Sequence, residues 1–455
     1  VFDSGVNAQV GIGSVLKPSV NPLFNQSKPW EPRIDNGYPN VVHDPSNAAS
    51  PFQLWYGDCV TNNGGCGQQS ILYANSTDGL VWNKPALGLV DVGALDPNLA
   101  HIGKLNNIVM KGGGTGVFLD AHETNASRRY KAFGEACFGG LTGCSPGTAV
   151  SADGHTFTDA TPIAWPAPQR YDCHNNVFFD AINRTYVATT RDGFSGPVGR
   201  TIAVQRSLPN DYAWTSSTAP PSVFRGDADH QLYSMVPFPF HDAFLGIVMV
   251  YDATSAAQRV HCRLAWSHNT SVWEWVDAGG LTGHDIIPLG TQGSCAFEPR
   301  CTARTGNAFD SHICFAAATP VKVGNTTRVY YMGGNGPHSG ARNSSFAMVE
   351  LREDGFAGVF VTGGGNFTTH PLAVTGSRLL VTADVLSAGG RVQVGVMGVR
   401  GLTPLEATPI TANVTNAGVQ FPGNGTLAPL AGRHVILGVV ATDAVVYTIS
   451  FAEES

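Results

Sequence analysis

Charged side chains are scarce in this chain. Only 13% of its 455 residues are Asp, Glu, Lys or Arg, the net charge at pH 7 is -7, and no block of like charges occurs. A protein that binds nucleic acid or an anionic membrane surface needs a concentrated basic patch. The composition therefore argues against both partners and favours a small neutral ligand or a polymer such as a polysaccharide or oligosaccharide.

Long apolar runs and metal-type cysteine spacings are also missing. The most apolar stretch, residues 434–451, carries Asp443 in its middle, so no segment of about 20 uncharged apolar residues exists to span a membrane. The nine cysteines include no Cys-x-x-Cys or zinc-like spacing. Three close pairs instead predict loop-stapling disulfides: Cys59 with Cys66, Cys137 with Cys144, and Cys295 with Cys301. The odd count leaves at least one thiol free or paired outside this chain.

Asn-x-Ser/Thr sequons, by contrast, are abundant. They occur at Asn25, Asn75, Asn125, Asn183, Asn269, Asn325, Asn343, Asn366, Asn413 and Asn424. One sequon is weak evidence, but this number predicts N-linked glycans and an extracellular, secreted protein. The chain begins with VFDSG, without Met or an apolar leader, and we therefore expect that a signal segment has been removed.

Apolar residues come in short runs rather than in 3.6-period stripes, which favours an all-β protein. A phrase of three or four strand-like runs recurs five times, and its first run lies at 38–44, at 106–110 or 116–120, at 175–180 (NNVFFD), at 231–238 and at 312–318. The turn STDGLVW at 76–82 returns as SADGHTF at 151–157, and in part at 267–273. The repeat predicts a five-bladed β-propeller over residues 1–360. A Gly-rich hinge at 361–367 and four further runs at 378–383, 391–397, 434–440 and 444–451 predict a β-sandwich over 361–455.

Polar residues concentrate in the loops that precede the first strand of each repeat, at 29–37, 168–176, 223–231 and 295–312. We call these the feeder loops. Arg-x-Asp occurs at Arg33 with Asp35, at Arg170 with Asp172, and at Arg225 with Asp227. An Asp is followed closely by a His at Asp172 with His174, at Asp229 with His230, and at Asp310 with His312. In a propeller these loops open on one face, so the pattern predicts a pocket lined by carboxylates.

Such a pocket suits a sugar, whose hydroxyls bind carboxylates, Asn and Arg while an aromatic ring stacks on the sugar face. Two carboxylates in different environments could also supply the acid and base for glycoside cleavage. The candidate catalytic residues are Asp35, Asp172 and Glu298. The candidate substrate-binding residues are Trp30, Glu31, Arg33, Arg170, His174, Asn175, Asp229, His230, Asp310 and His312. No cofactor is predicted, although the acids and histidines leave room for a structural cation on the axis.

The alternative interpretation is that each Arg-x-Asp pair locks its loop by a charge-assisted hydrogen bond. The protein would then be a non-catalytic glycoprotein that binds glycan or builds an extracellular structure. Acids converging on an open cavity would favour the enzyme, whereas acids each tied to an Arg would favour the structural protein.

The segment NPLFNQSKPWEPRIDNGYPNVVHD at 21–44, together with FQLWYGD at 52–58, resembles the first blade of the invertase and levanase families and of the related arabinanase and xylosidase propellers. The turn SADGHTF resembles their blade edges. The resemblance implies a glycoside hydrolase with a five-bladed propeller and a C-terminal sandwich. By position it implies that Asp35, or less well Glu31, is the nucleophile or base, that Asp120 stabilises the transition state, and that Glu298 is the acid.

Overall fold

The computed structural model describes residues 2–60, 69–136, 138, 145–163, 174–193, 198–214, 221–254, 256–292 and 307–453. These residues contain strands and short 3-10 turns but no α-helix, which confirms the all-β prediction. The turns are Val92–Ala94, Pro97–Leu99, Ala126–Arg128, Gly280–Thr282, Pro404–Glu406, Pro422–Asn424 and Ala428–Leu430. Within the described ranges, no helix has the length and apolar character needed to cross a membrane.

Most strands form five antiparallel meanders. The first comprises β3 (Asn40–His43), β4 (Phe52–Cys59), β5 (Gln69–Ser76) and the start of β6 (Ile108–Leu119). The second comprises the rest of β6, β7 (Tyr130–Ala136), β8 (Ser145–Ser151) and β9 (Thr158–Pro162). The third comprises β10 (Asn176–Asp180), β11 (Thr185–Asp192), β12 (Thr201–Arg206) and β13 (Ser222–Arg225). The fourth comprises β14 (His230–Phe240), β15 (Ala243–Asp252), β16 (Val260–Ser267) and β17 (Glu274–Trp275).

The fifth meander is completed by a strand from the beginning of the chain. It comprises β18 (Ile313–Ala316), β19 (Val321–Val323), β20 (Thr326–Gly334) and β21 (Ser344–Arg352), and β2 (Phe24–Asn25) pairs with β21 as its last strand. The five strand groups therefore correspond to the five sequence repeats. The runs predicted at 106–110 and 116–120 are the two halves of the single strand β6.

Contacts join the five meanders in a cycle. Asn175 donates its backbone N–H to the Gly114 carbonyl at 2.9 Å, which connects the third meander to the second. The third and fourth are in contact through β10, β11 and β14, and the fourth and fifth through a parallel bridge between Val260 and Ile313. A parallel bridge between Asn40 and Ala318 then returns the fifth meander to the first.

The same end of every meander lies on the same side of this cycle. The turn between the first and second strands of one meander lies beside the same turn of the next meander. For example, the Tyr186 hydroxyl of the third meander donates to Asp120 Oδ2 of the second at 2.6 Å. His241, at the corresponding turn of the fourth meander, lies 3.0 Å from Asp354, just after β21. We call this side the turn end. The opposite side, where the feeder loops enter the first strands, is the feeder end.

The repeated turn phrase forms one hydrogen-bonded motif at the turn end. Ser76 Oγ accepts from the Gly79 N–H at 2.9 Å, and Ser151 Oγ accepts from the Gly154 N–H at the same distance. Ser267 Oγ accepts from the Thr270 N–H at 2.9 Å in the fourth meander. An aromatic side chain of the preceding meander bonds to such a turn: the Trp55 indole donates to the Gly154 carbonyl at 2.8 Å. The phrase is therefore a packing element between meanders.

A separate sheet collects most of the C-terminal strands. Its order is β1 (Phe2–Ile12), β22 (Ala357–Thr369), β28 (Leu437–Ala452), β24 (Arg378–Val385) and β26 (Val414–Gly418), with β25 (Arg391–Val396) also paired to β28 and a small pair formed by β23 (Leu372–Ala373) and β27 (His434–Val435). Its apolar side chains, including Leu379, Val394 and Val439, form their own buried cluster.

The predicted Gly-rich hinge at 361–367 is wrong, because these residues lie inside β22, which pairs with β1 on one side and β28 on the other. The glycines allow a register shift between Val361 and Gly364, where Gly363 has φ of 66°. The division of the chain into two domains at residue 360 stays a prediction. The N-terminal strand β1 belongs to the C-terminal sheet. Arg352, at the end of the fifth meander, forms an ion pair with Asp384 of that sheet.

The structure describes one complete disulfide, Cys262–Cys314, which connects β16 to β18 across 52 residues of sequence. Sequence proximity could not indicate it. Cys59 is disulfide-bonded. The predicted partners Cys66, Cys137, Cys144, Cys295 and Cys301 lie outside the described residues, so the three predicted pairings stay predictions.

Candidate functional site

The first feeder loop is held in an unusual backbone conformation at the feeder end. Asp35 and Tyr38 have left-handed φ values of 55° and 40°, and Gly37 between them has φ of 67°. Non-glycine residues in this region cost free energy and persist only where surrounding contacts enforce them. Here the Cys59 N–H donates to the Arg33 carbonyl at 2.9 Å, and the Gly57 N–H donates to the Gly37 carbonyl at 2.5 Å. The loop is thereby fixed on the end of β4.

Two arginines hold the carboxylate of Asp35. Arg33 Nε donates to Asp35 Oδ1 at 2.9 Å, and Arg342 Nη2 donates to the same oxygen at 2.6 Å. The Arg342 side chain is 1% exposed, and it also donates to Asn36 Oδ1 at 2.7 Å. Among the described residues, Oδ2 of Asp35 receives no hydrogen bond, and the side chain is 21% exposed. One oxygen is thus anchored while the other is open to a ligand.

Asp58, at the end of β4, has the opposite environment. It is 2% exposed, and neither carboxyl oxygen accepts a well-formed hydrogen bond from a described residue. Burial, and then the charge of Glu31, raise its pKa well above the ordinary range; Asp35 adds to the rise, whereas the Cys59 N–H and Lys84 oppose it. A buried carboxyl group without a cationic partner favours its neutral form. Asp58 therefore keeps its proton at pH values where an ordinary carboxyl group has lost it.

Asp35 and Asp58 line the same small cleft, in which about 10 Å³ is open to water. Its wall is formed by Ile34, Asp35, Gly37, Tyr38, Gly57, Asp58, Cys59, Gln69, Gly113 and Gly114. The end of β4, the beginning of β5 and the middle of β6 meet here, and glycines at 57, 113 and 114 keep side chains out of the space between them. The sequence did not indicate Asp58 as a site residue. The only available signal was a charged residue closing the apolar run FQLWYGD.

A tyrosine of the fourth meander and two arginines of the third converge on Tyr38 beside this cleft. The hydroxyls of Tyr38 and Tyr233 lie 3.2 Å apart, although 195 residues separate them in sequence. The guanidinium of Arg191 lies 4.5 Å from the centre of the Tyr233 ring, and that of Arg200 lies 5.1 Å from it. Cation–π contacts of this kind orient both partners. Tyr38 and Tyr233 are both buried and make polar contacts through their hydroxyls.

His338 completes this group. Its ring packs 5.0 Å from the rings of both Tyr233 and Tyr251. Burial first, and then the positive charge of Arg342, lower its pKa to about 4. His338 is therefore neutral at physiological pH. The sequence pattern did not indicate these residues as site residues, because all of them lie outside the four feeder loops: Arg191, Arg200, His338 and Arg342.

The predicted site residues of the third feeder loop divide into two sets. His174 is 1% exposed and packs 5.5 Å from the Tyr38 ring; burial, partly opposed by the Pro39 carbonyl, lowers its pKa to about 3. Asn175 is also buried and bonds to Thr190 Oγ1 and the Gly114 carbonyl, so it joins two meanders instead of facing a ligand. Arg170 and Asp172 lie outside the described residues, and their roles stay predictions.

Trp30 and Glu31 are structural in this arrangement. The Trp30 indole donates to Asn107 Oδ1 at 2.8 Å. Glu31 is fully buried, accepts from the Tyr56 hydroxyl at 2.6 Å, and pairs with Lys84 at 2.7 Å. Both side chains are satisfied by protein partners within the first meander. We therefore assign to Glu31 an electrostatic influence on Asp58 rather than contact with substrate.

The acids and histidines of the later feeder loops do not join the cleft. Asp310 is buried against Lys17 at 2.6 Å and the Tyr331 hydroxyl at 2.6 Å. His312 bonds to Ser311 and Gln292. Asp229 is exposed, and His230 lies 3.2 Å from Asp227 rather than pairing with its neighbour. Glu298 lies outside the described residues, so its predicted role as acid stays a prediction.

Two further expectations have definite outcomes. Asp120 lies at the turn end, fully buried between Lys131 at 2.9 Å and the Tyr186 hydroxyl, so it does not stabilise a transition state at the feeder end. Arg225 bonds to Ser222 rather than to Asp227, so the Arg-x-Asp lock forms in the first loop but not in the fourth.

Within the described ranges, no group of three His, Cys, Asp or Glu residues could hold a metal ion, and the axial cation stays a prediction.

Buried polar atoms without partners occur at the beginnings of first strands. Three such oxygens are Oδ1 of Asn40, Oδ1 of Asn176 and Oγ of Ser234, in β3, β10 and β14. Asn40 and Asn176 are the first residues of their strands, and Ser234 is the fifth residue of β14. None of the three oxygens has a hydrogen-bond partner among the described residues. Buried oxygens of this kind ordinarily bind ordered water. The interior of the feeder end is thus polar, in contrast to the apolar clusters between the meanders.

No protein-family model matches this chain, and no curated protein matches it. Solved structures that resemble it include an N-acetylgalactosamine deacetylase from F. plautii, at 14% identity over 76% of this chain and 96% of that one, with a TM-score of 0.47. An exo-β-1,3-galactanase from Phanerochaete chrysosporium matches at 11% identity over 94% and 99%, with a TM-score of 0.38. A glycosyl hydrolase from Bacteroides ovatus matches at 11% over 75% and 94%, with a TM-score of 0.44. At these values the comparisons assign no activity and no site residue.

Proposed function

We propose that this protein is a secreted glycoside hydrolase acting on a polysaccharide, with Asp58 as general acid and Asp35 as base or nucleophile. The observation that carries the proposal is that these two carboxyl groups line one cleft in opposite electrostatic environments. Paired titratable groups whose surroundings separate their pKa values are the usual basis of acid and base roles.

The contacts assign each group its task. Protonated Asp58 donates its proton to the glycosidic oxygen as the bond from that oxygen to the anomeric carbon breaks. Asp35, whose Oδ1 accepts hydrogen bonds from Arg33 and Arg342, either attacks the anomeric carbon through Oδ2, forming a glycosyl ester that water then hydrolyses, or removes a proton from the attacking water. The distance between the carboxyl groups of Asp35 and Asp58 when substrate is bound decides between retention and inversion of configuration.

The architecture supports the same proposal. Five meanders that contact one another in a cycle, with a strand from the N-terminal region completing the fifth, fit a five-bladed β-propeller followed by a C-terminal β-sandwich. Secretion is supported by the Cys262–Cys314 disulfide, since such bonds persist in oxidising compartments, and by the exposure of nine of the ten sequon asparagines.

The test is reducing-sugar release from fructans, arabinans and galactans by the native chain, Asp35→Asn, Asp58→Asn and the control Asp229→Asn. We expect the first two substitutions to reduce release roughly 10²–10⁴-fold and the exposed control to leave it unchanged. Circular dichroism verifies that each variant folds. Full activity in folded Asp58→Asn would refute the assignment of the acid.

The two arginines on Asp35 also fit the non-catalytic alternative, in which this loop is merely locked. Binding of the same polysaccharides, measured alongside release, separates the two functions. Binding without release by the native chain would establish a glycan-binding glycoprotein. Release that depends on both acids would exclude it.

A further inference from the structure

The sequons of the five meanders are not distributed evenly over the surface. Asn125 and Asn183 lie in the turns from first to second strands, and Asn269 lies in the turn after β16. Asn325 lies between β19 and β20, and Asn75 lies next to the end of β5. In the antiparallel ladders these positions all fall at the turn end, opposite the cleft.

Contacts between meanders confirm that these five positions share one side. Arg206, at the end of β12, donates through Nη2 to the Asn269 carbonyl. Arg328, at the start of β20, donates to the Asp78 carbonyl at 2.7 Å, beside the Asn75 segment. Lys131 lies 3.0 Å from Glu123, in the turn that carries Asn125, and 2.9 Å from Asp120, which contacts Tyr186 of the third meander. Four of the five sequon asparagines are exposed; Asn75 is half-buried.

Exposed apolar side chains accompany the same turns. Ile182, adjacent to Asn183, is 72% exposed, and Val272, whose N–H donates to Asn269 Oδ1 at 3.1 Å, is 62% exposed. Leu208 is 46% exposed in the segment where the Asn210 N–H donates to the Arg184 carbonyl. Exposed apolar side chains favour association between molecules where they form a patch. An oligosaccharide on the neighbouring asparagine would cover them.

The feeder end is almost free of sequons. Only Asn25 and Asn343 lie there among the meander sequons, and both line one cavity at the edge of the fifth meander that shares no lining residue with the cleft of Asp35 and Asp58. Asn343 is the sequence neighbour of Arg342 and Ser344, which both bond to Asp35. N-linked glycans are bulky and solubilising. The feeder end therefore carries fewer glycan sites than the turn end.

We infer that N-linked glycans at Asn125, Asn183, Asn269 and Asn325 cover the turn end, shield its exposed apolar side chains, and restrict substrate and partners to the feeder end. The inference rests on the secretory route that forms part of the proposed function, but not on hydrolysis. Turns are rich in Asn, Ser and Thr for conformational reasons. Site occupancy therefore has to be measured.

The experiment expresses the chain with a secretion leader in a eukaryotic host. Enzymatic removal of the glycans in ¹⁸O water, followed by mass spectrometry of peptides, gives occupancy at each asparagine. We expect high occupancy at the four exposed turn-end sites and low occupancy at half-buried Asn75. Hydroxyl-radical footprinting before and after native deglycosylation should show a several-fold rise in labelling at Ile182 and Val272, with a smaller change at residues 33–38. Secreted protein with a bare turn end, or no rise in labelling, would overturn the inference.

A relocated glycan supplies the complementary test. Pro337→Asn creates a sequon with Ser339 in the loop that carries His338 and Arg342, at the feeder end. Footprinting should then show protection of residues 33–38, whereas Pro337→Asn combined with Ser339→Ala, which lacks the sequon, should not. Ser127→Ala and Ser271→Ala remove turn-end glycans and should increase self-association. Wild-type labelling of 33–38 in a fully occupied Pro337→Asn protein would contradict the assigned placement.

If the hydrolase proposal fails, these occupancy and footprinting results are still obtained, because neither needs a substrate. If sugar release is found, the relocated glycan should lower it while removal of turn-end glycans leaves it unchanged. The two proposals therefore fail through different measurements.

Discussion

Arg342 donates a hydrogen bond to Asp35 at 2.6 Å across 307 residues of sequence. The contact joins the loop after β20 to the first feeder loop, and so fixes the fifth meander to the first at the feeder end. It also places a buried guanidinium against the carboxylate that we assign to catalysis. The same bond therefore helps to close the cycle of meanders and contributes to the electrostatics of the cleft.

Removal of Arg342 should destabilise the protein. We expect Arg342→Ala to lower the free energy of unfolding by about 2 kcal/mol, because hydrogen bonds to a charged group are lost in a buried setting. Arg342→Lys should restore only part of this, since Lys lacks the planar fork that bonds Asp35 and Asn36 together. Urea unfolding measures both variants. Arg225→Ala, which removes a guanidinium bonded only to Ser222 among the described residues, is the matched control and should be nearly neutral.

Asp58 should give a recognisable pH dependence of stability. Its pKa in the folded protein lies above the unfolded value, so between those two values the folded state binds more protons than the unfolded state. The free energy of unfolding then falls as pH rises, by up to about 1.4 kcal/mol for each pH unit in that interval. Asp58→Asn should remove the fall and make the variant more stable than wild type at neutral pH.

Denaturant titrations at pH 4, 5.5 and 7 test this prediction. Asp229→Asn, at an exposed carboxyl group, should reproduce the wild-type profile. An unchanged slope in Asp58→Asn would show that another group is responsible.

Lys131 and Asp120 form a fully buried ion pair at 2.9 Å, and its disruption should be costly. We expect Lys131→Met alone to destabilise the protein by about 3–5 kcal/mol, because Asp120 is left charged and buried. The double variant Lys131→Met with Asp120→Asn should be less destabilised than the sum of the single changes. A double-mutant cycle by thermal or chemical unfolding measures the coupling, and strict additivity would argue against the pair.

The Cys262–Cys314 disulfide closes a loop of 52 residues between the fourth and fifth meanders. Loop-closure entropy predicts that Cys262→Ala with Cys314→Ala lowers the free energy of unfolding by about 4 kcal/mol. Mass spectrometry of non-reduced peptides verifies the bond, and unfolding with and without reductant measures its effect. Equal stability of the double variant and the native chain would show that the closed loop contributes nothing.

Several features of the fold were predictable from local sequence. The run NNVFFD at 175–180 predicted β10 almost to its ends, and the Ser-x-Asp-Gly phrase predicted a repeated turn. Strand signals at 378–383 and 391–397 likewise match β24 and β25. These predictions succeed because the alternation of apolar and polar residues, the presence of β-branched residues and the residue types of turns all act within a few residues of one another.

The candidate site was predicted only in part. Asp35 was found because it lies in a polar feeder loop, and it does line the cleft. Asp58 and Arg342 were missed, since neither a buried charge at a strand end nor a distant arginine has a local signature. Asp310 and Asn175 carry the expected residue types but are saturated by partners that only the folded chain brings near.

By itself the sequence determined the β class, the five strand groups and the turns that join them, because these depend on spacing and residue type over short distances. The tertiary structure decided which end of each strand group faces the same side, that a strand from the N-terminal region completes the fifth meander, and that β1 joins the C-terminal sheet. It also decided which acids are paired and which is left buried without a partner. Those outcomes depend on burial and on contacts between residues hundreds of positions apart, where charge and desolvation set the chemistry.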